Sequence, residues 1–93
     1  MQLKRDYKIV PRGESVKLTC QIGGKPQPII TWSKGSEAIT EYGWTRFTLG
    51  KRSLKISQAE YEDTGIYVCK GTNGYGSQEV RIGMMLLGFF RAL

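Results

Sequence analysis

The feature that most constrains this chain is the placing of its only two cysteines, Cys20 and Cys69, on either side of Trp32. A tyrosine, Tyr67, stands two residues before the second cysteine. Because the chain has no other cysteine, only one intramolecular disulfide can form. An oxidised pair implies an extracellular or secretory setting, whereas two reduced core cysteines would fit an intracellular domain.

Short alternating runs of apolar and polar residues fill the chain. Its 93 residues suit one domain with a small core. Gly, Pro and Asn separate the runs, a pattern typical of a β-sandwich. The Asn73-Gly74 pair predicts a tight hairpin turn. The predicted strands, in chain order, are 8–11, 15–22, 29–34, 37–40, 44–49, 53–58, 65–72 and 76–82. The predicted fold class is therefore all-β, with two packed antiparallel sheets.

The charge balance and the lack of histidine limit the function classes. Fourteen Lys and Arg against eight Asp and Glu give a net charge of +6, and there is no histidine. The positive excess favours acidic partners, although an ordinary solvated surface also accounts for it. No Ser-His-Asp or Cys-His arrangement and no His metal ligand can form. We therefore predict that the chain is not an enzyme, and that it holds no metal and no cofactor.

A local basic group offers one candidate contact. Lys51, Arg52 and Lys55 lie around the start of a predicted strand and are a predicted site for a sulfated glycan such as heparan sulfate. Solvated surface charge is the alternative. The group lacks the interleaved aromatic residues of a nucleic-acid platform, so no nucleic-acid partner is predicted.

Two aromatic residues, Trp44 and Phe47, offer a second candidate contact. They lie on a predicted strand where a β-sandwich does not require tryptophan. Trp44 either serves as a partner-facing aromatic anchor or packs at the edge of the sandwich.

Several motifs between residues 10 and 80 carry a family resemblance. Among them are Val16-Lys17-Leu18-Thr19-Cys20, Thr31-Trp32-Ser33-Lys34-Gly35, Gly43-Trp44-Thr45-Arg46-Phe47 and Glu62-Asp63-Thr64-Gly65-Ile66-Tyr67-Val68-Cys69-Lys70. They are similar to I-type (I-set) immunoglobulin domains and, more narrowly, to the first immunoglobulin domain of fibroblast growth factor receptor-like proteins. The resemblance implies an immunoglobulin-like β-sandwich whose two sheets are joined by a disulfide between Cys20 and Cys69.

The resemblance also gives structural roles to individual residues. The expected core positions are Trp32, Leu54, Asp63, Gly65 and Tyr67. Trp32 is expected to cover the disulfide, and the Tyr67 hydroxyl to bond back to the upstream backbone. Asp63 is expected to form a salt bridge with Arg46.

The function implied by the resemblance is that of a binding module. It would be the extracellular domain of a membrane-anchored protein at the plasma membrane. Protein binding and cell adhesion are expected, with a growth factor or an adhesion protein as partner, and with recognition of growth factor or heparan sulfate. The alternative is a structural repeat of a multi-immunoglobulin matrix or muscle protein.

The expected division of the chain has three parts. Residues 1–7 are an N-terminal flank, residues 8–82 the I-set domain, and residues 83–93 an atypical apolar tail. The tail departs from the family pattern and is interpreted as truncated or read-through sequence. A membrane-dipping tail is the other interpretation.

Overall fold

The computed structural model describes residues 6–40 and 43–87. This part of the chain forms short strands joined by turns. The strands are β1 (Asp6–Pro11), β2 (Val16–Thr19), β3 (Ile29–Lys34), β4 (Glu37–Ala38), β5 (Phe47–Leu49), β6 (Ser53–Ile56), β7 (Gly65–Thr72) and β8 (Ser77–Leu87), with a 3₁₀ turn at Tyr61–Asp63.

The strands form two sheets, which confirms the predicted all-β sandwich. The five-stranded sheet has the order β1-β8-β7-β3-β4, and the three-stranded sheet has the order β2-β6-β5. Every pairing is antiparallel except that of β1 with β8, which is parallel. A parallel pair needs a long connection. Strands β1 and β8 satisfy this need because they stand at opposite ends of the described chain.

The alternation of apolar residues sets which faces meet in the core. Leu18 of β2 lies opposite Leu54 of β6, and Val16 lies opposite Ile56. Leu18, Leu54 and Ile56 are fully buried. Successive side chains of a strand point to opposite faces, so the polar residues between them face solvent.

Strands β1 and β8 extend beyond the expected domain limits. Strand β1 begins at Asp6, within the expected flank, and β8 continues past residue 82 to Leu87. In this extension Met84 and Leu86 are buried whereas Met85 and Leu87 are exposed. The apolar run keeps the strand alternation because pairing with β1 and β7 holds it in a sheet. Residues 1–5 and 88–93 lie outside the described residues.

A disulfide joins the two halves of the core. Cys20 and Cys69 are bonded, with their Cα atoms 6.0 Å apart, and both are fully buried. Trp32 is also buried, and its strand neighbour in the register is Cys69. The predicted disulfide is therefore confirmed. The indole N–H of Trp32 has no hydrogen-bond partner among the described residues.

Asp63 and Tyr67 close the lower end of the sandwich, where the 3₁₀ turn leads into β7. The Tyr67 hydroxyl donates to the Asp63 carbonyl at 2.6 Å. Burial, followed by the nearby Asp63 charge, raises the pKa of Tyr67 well above its ordinary value of 10.0. The tyrosine is therefore a neutral hydrogen-bond donor throughout the physiological pH range.

Arg46 reaches the same end from the loop before β5. Its Nη1 and Nη2 atoms lie 2.8 and 3.0 Å from the two carboxylate oxygens of Asp63. The hydrogen bond that Arg46 donates to Asp63 raises the pKa of Arg46 above its already high value. The same guanidinium donates to the carbonyls of Ser57 and Gln58 at 3.1 Å. Asp63 is only 2% exposed, so the carboxylate of this ion pair is shielded from solvent.

Candidate functional site

The outer face of the five-stranded sheet carries a group of exposed apolar side chains. We call this group the apolar patch; its members are Tyr7, Ile9, Ile66, Met85 and Leu87, which are between 45% and 65% exposed. The sheet register brings them together: Tyr7 and Ile66 flank Gly83 on its two sides, and Ile9 lies beside Met85. Contiguous exposed apolar surface of this kind commonly marks an interaction site.

Gly83 lets the patch lie flat against the sheet. A Cβ atom at this position would lie 2.8 Å from two ring carbons of Tyr7 and 3.7 Å from the Cδ1 atom of Ile66. The tyrosine ring therefore lies directly over the glycine backbone. This packing of an aromatic ring over a strand glycine holds Tyr7 against the sheet.

The upper part of the same face is polar. Lys70 of β7 lies opposite Glu79 of β8. Thr31 of β3 lies beside Lys70 on its other side. Arg81 lies opposite Val68, between this polar part and the patch. The face thus has an apolar end with a charged border.

Strand β1 forms the edge of this sheet. Lys8, an exposed residue, stands between Tyr7 and Ile9 and belongs to the opposite face of the strand. Charged side chains on an edge strand oppose pairing with a strand of another molecule. The face of the sheet, rather than its edge, is therefore the better contact surface.

The outer face of the three-stranded sheet is basic instead. Lys17 of β2 and Lys55 of β6 are exposed and directly opposite one another. Like charges in this arrangement repel, which a bound anion would relieve. Lys51 is exposed in the turn before β6.

Arg52 is not part of that basic face. Its Nη2 atom donates to the carbonyl of Ile22 at 2.7 Å and lies 3.4 Å from that of Cys20. The half-buried guanidinium is thus bound to the backbone that follows β2. Of the three residues expected to bind a glycan, the structure leaves Lys51 and Lys55 open to solvent and adds Lys17 beside them.

Trp44 and Phe47 pack against the lower core. Their ring centroids are 5.0 Å apart in an edge-to-face arrangement, and the Phe47 centroid is 6.5 Å from that of Tyr67. Both side chains are half-buried and contact the buried cluster. Packing at the edge of the sandwich accounts for their positions. Contact with a partner through these residues stays a prediction.

Two further kinds of site have no basis in residues 6–40 and 43–87. No three acidic, histidine or cysteine side chains there converge in a way that could hold a metal ion. Nor does this part of the chain contain a helix long and apolar enough to cross a membrane.

A two-sheet sandwich with a buried disulfide and extended contact faces defines a class of binding module, that of immunoglobulin domains. The sequence profile of the family described as Immunoglobulin I-set domain matches residues 2–86. This chain therefore belongs to the immunoglobulin I-set family. Like its receptor and adhesion relatives, it is a binding module and not an enzyme.

The curated relatives include receptor-like and multi-domain proteins. The chain is 42% identical over 85 residues to human "Fibroblast growth factor receptor-like 1". The matched segment covers 86% of this chain and 17% of that protein. It is also 42% identical over 67 residues to mouse "Hemicentin-1". That matched segment covers 72% of this chain and 1% of that protein. The chain thus spans only a small part of these relatives.

The solved structures show the same fold. The N-terminal four immunoglobulin domains of Dscam1 isoform 6.9 match with a TM-score of 0.79 and 26% identity, covering 89% of this chain and 22% of that chain. Titin domain M7 matches with a TM-score of 0.75 and 25% identity, covering 89% of this chain and 87% of that chain. The same sandwich therefore occurs in proteins of very different length, and the fold alone does not assign a contact surface.

Sequence reasoning missed the apolar patch. The signal available was the apolar character of Tyr7, Ile9 and residues 83–87. Tyr7 belongs to the predicted flank, Ile9 to the predicted strand 8–11, and residues 83–87 to the predicted tail. Their grouping depends on the parallel pairing of β1 with β8, which no local pattern reveals.

Proposed function

We propose that this chain is an extracellular binding module of a cell-surface protein of the fibroblast growth factor receptor-like type. In this proposal it contacts a protein partner, a growth factor or an adhesion protein, through the apolar patch. The disulfide supports an oxidising, extracellular setting. The similarity to human "Fibroblast growth factor receptor-like 1" supports the receptor-like assignment.

The observation that carries this proposal is the exposed apolar patch on an otherwise polar sheet face. An interface of this kind has an apolar centre and a polar rim. Met85 lies at the centre of the patch, and Arg81 lies at its border. Burying such side chains against a partner would remove apolar area from water, which is the main favourable term in association.

A charge placed inside the patch should abolish binding to a protein partner. We expect Met85→Glu to weaken binding at least about tenfold, because an unpaired carboxylate would be buried at the interface centre. Binding of the immobilised domain can be measured against a panel of fibroblast growth factors and against the domain itself.

Thr31→Glu provides the matched control, since it adds the same charge to the same sheet face outside the patch. It should leave binding nearly unchanged. Equal losses in the two variants would mean that general charge, and not the patch, controls the contact. Failure of the whole panel and of the domain itself to bind would count against the proposal.

A second candidate function is recognition of a sulfated glycan by Lys17, Lys51 and Lys55. The observation that favours it is the opposed pair of exposed lysines on β2 and β6. Charge neutralisation of this kind weakens as salt screens it.

Paired substitutions can separate this site from the overall charge of +6. We expect the double variant Lys17→Ser, Lys55→Ser to elute from heparin at clearly lower salt than the parent chain. The double variant Lys25→Ser, Lys70→Ser removes the same charge elsewhere and should elute close to the parent. Identical elution of the two variants would instead indicate an unspecific basic surface.

A further inference from the structure

We propose that Asn73 is a self-modifying site, at which deamidation would release the contact between the two loops at the upper end of the sandwich. These loops are the 20–28 segment and the β7–β8 hairpin. The inference is independent of the function proposed above. It rests on the conformation of the hairpin and on the hydrogen bonds of one side chain.

The hairpin folds the Asn73 side chain back towards the residues that follow it. Its side-chain Oδ1 accepts from the Tyr75 N–H at 3.0 Å, which folds the side chain back over the intervening Gly74. Gly74 has φ +90 and no Cβ to crowd its nitrogen. Within the described chain, the Gly74 N–H has no hydrogen-bond partner. An exposed, unengaged nitrogen thus lies next to a side-chain carbonyl that already accepts a hydrogen bond.

The chemistry needs only water. The Gly74 nitrogen attacks Cγ of Asn73, so that an N–Cγ bond forms and the Cγ–Nδ2 bond breaks. Ammonia leaves with the proton from the Gly74 nitrogen, and a five-membered succinimide remains. Water then opens the ring at either carbonyl and gives aspartyl or isoaspartyl, without any oxidation or reduction. Asparagine is among the chemically labile residues of proteins.

The structural effect of deamidation depends on the Nδ2 atom of the Asn73 side chain. Asn73 Nδ2 donates to the Pro26 carbonyl at 3.1 Å and thereby joins the hairpin to the 20–28 loop. A carboxylate has no proton to donate, so two acceptors would face each other and repel. An isoaspartyl residue also lengthens the main chain of the turn. Tyr75, which is 85% exposed at the tip, would then lose its fixed position.

The same loops border a groove of about 310 Å³. Ile22 and Pro28 line one side of it, and Asn73 and Tyr75 line the other. Deamidation would therefore place a new negative charge in the wall of this groove. It would also remove the hydrogen bond that ties Asn73, one of the lining residues, to the 20–28 loop.

The test is incubation of the folded, oxidised chain in neutral to mildly alkaline buffer, followed by mass spectrometry of the peptide that contains Asn73. We expect the mass increase that replacement of an amide NH₂ by OH produces, together with an isoaspartyl product. The Asn73→Gln variant keeps the amide but cannot form a five-membered ring, so it should show no increase over the same period.

Incubating the reduced and denatured chain under the same conditions tests how the fold affects deamidation of Asn73. Conversion of the folded and the denatured chain alike would support the proposal. Conversion of the denatured chain alone would overturn it, since the fold would then protect Asn73. Conversion of neither would overturn it as well. For the proposed release, Asn73→Asp should increase hydrogen exchange in both loops, and unchanged exchange would refute that step.

Discussion

Replacing both Cys20 and Cys69 by alanine is expected to lower the free energy of unfolding by about 2–5 kcal/mol. The bond closes a long loop, since the sequence separation of the two residues is 49. Cross-linking such a loop restricts the unfolded chain, and a small domain has little other stability to spare. The measurement is denaturant unfolding of the parent and the variant, with and without reductant.

The reductant supplies the internal control for this prediction. Reductant should shift the midpoint of the parent towards that of the variant and should leave the variant unchanged. A thiol titration of the native parent belongs to the same experiment. Two titratable thiols in the native protein would contradict the disulfide and would favour the alternative of an intracellular, muscle-type repeat.

Substituting Arg46 by leucine is expected to lower the free energy of unfolding by about 2–4 kcal/mol. The change leaves the Asp63 carboxylate, only 3% exposed at its side chain, without its cationic partner. It also removes the two hydrogen bonds that Arg46 donates to backbone carbonyls. The effect lies towards the lower end of the range for buried pairs because the Arg46 side chain is 27% exposed. Denaturant unfolding again provides the measurement.

Arg12→Leu is the matched control for Arg46→Leu. Arg12 pairs with Glu60 at 2.9 Å, but the two side chains are 59% and 37% exposed. Exposed pairs contribute little, so the expected loss is below about 1 kcal/mol. Similar losses of unfolding free energy in the two arginine variants would show that burial of Asp63 does not strengthen its pair with Arg46.

The strands with clear turn residues at their ends could be predicted from the sequence. Strand β3 lies between Pro28 and Gly35, and β7 ends at Thr72, just before Asn73; the bounds of both agree with the prediction. Strands β2, β5 and β6 are shorter than predicted. The Asn73-Gly74 turn is also longer than the tight turn expected, because Thr72 pairs with Ser77 and leaves 73–76 in the loop.

The candidate contact surfaces could be predicted only in part. Lys55 stood out as part of a local basic group, but its neighbour Lys17 comes from a strand far away in the sequence. Arg52 belonged to the same local group, yet its side chain turns to the backbone carbonyls of the core. The direction of a long side chain depends on which acceptors the fold brings within reach. Sequence proximity alone does not determine it.

By itself, the sequence predicted an all-β chain, a single possible pairing of its cysteines and the alternation that buries residues such as Leu18 and Leu54. These follow from local rules, since side chains alternate along a strand and two cysteines allow one bond. Only the tertiary structure decided that Tyr7, Ile9 and Met85 form one surface. That surface depends on the parallel register between β1 and β8, which is set by packing across the whole sheet and by no neighbouring residue.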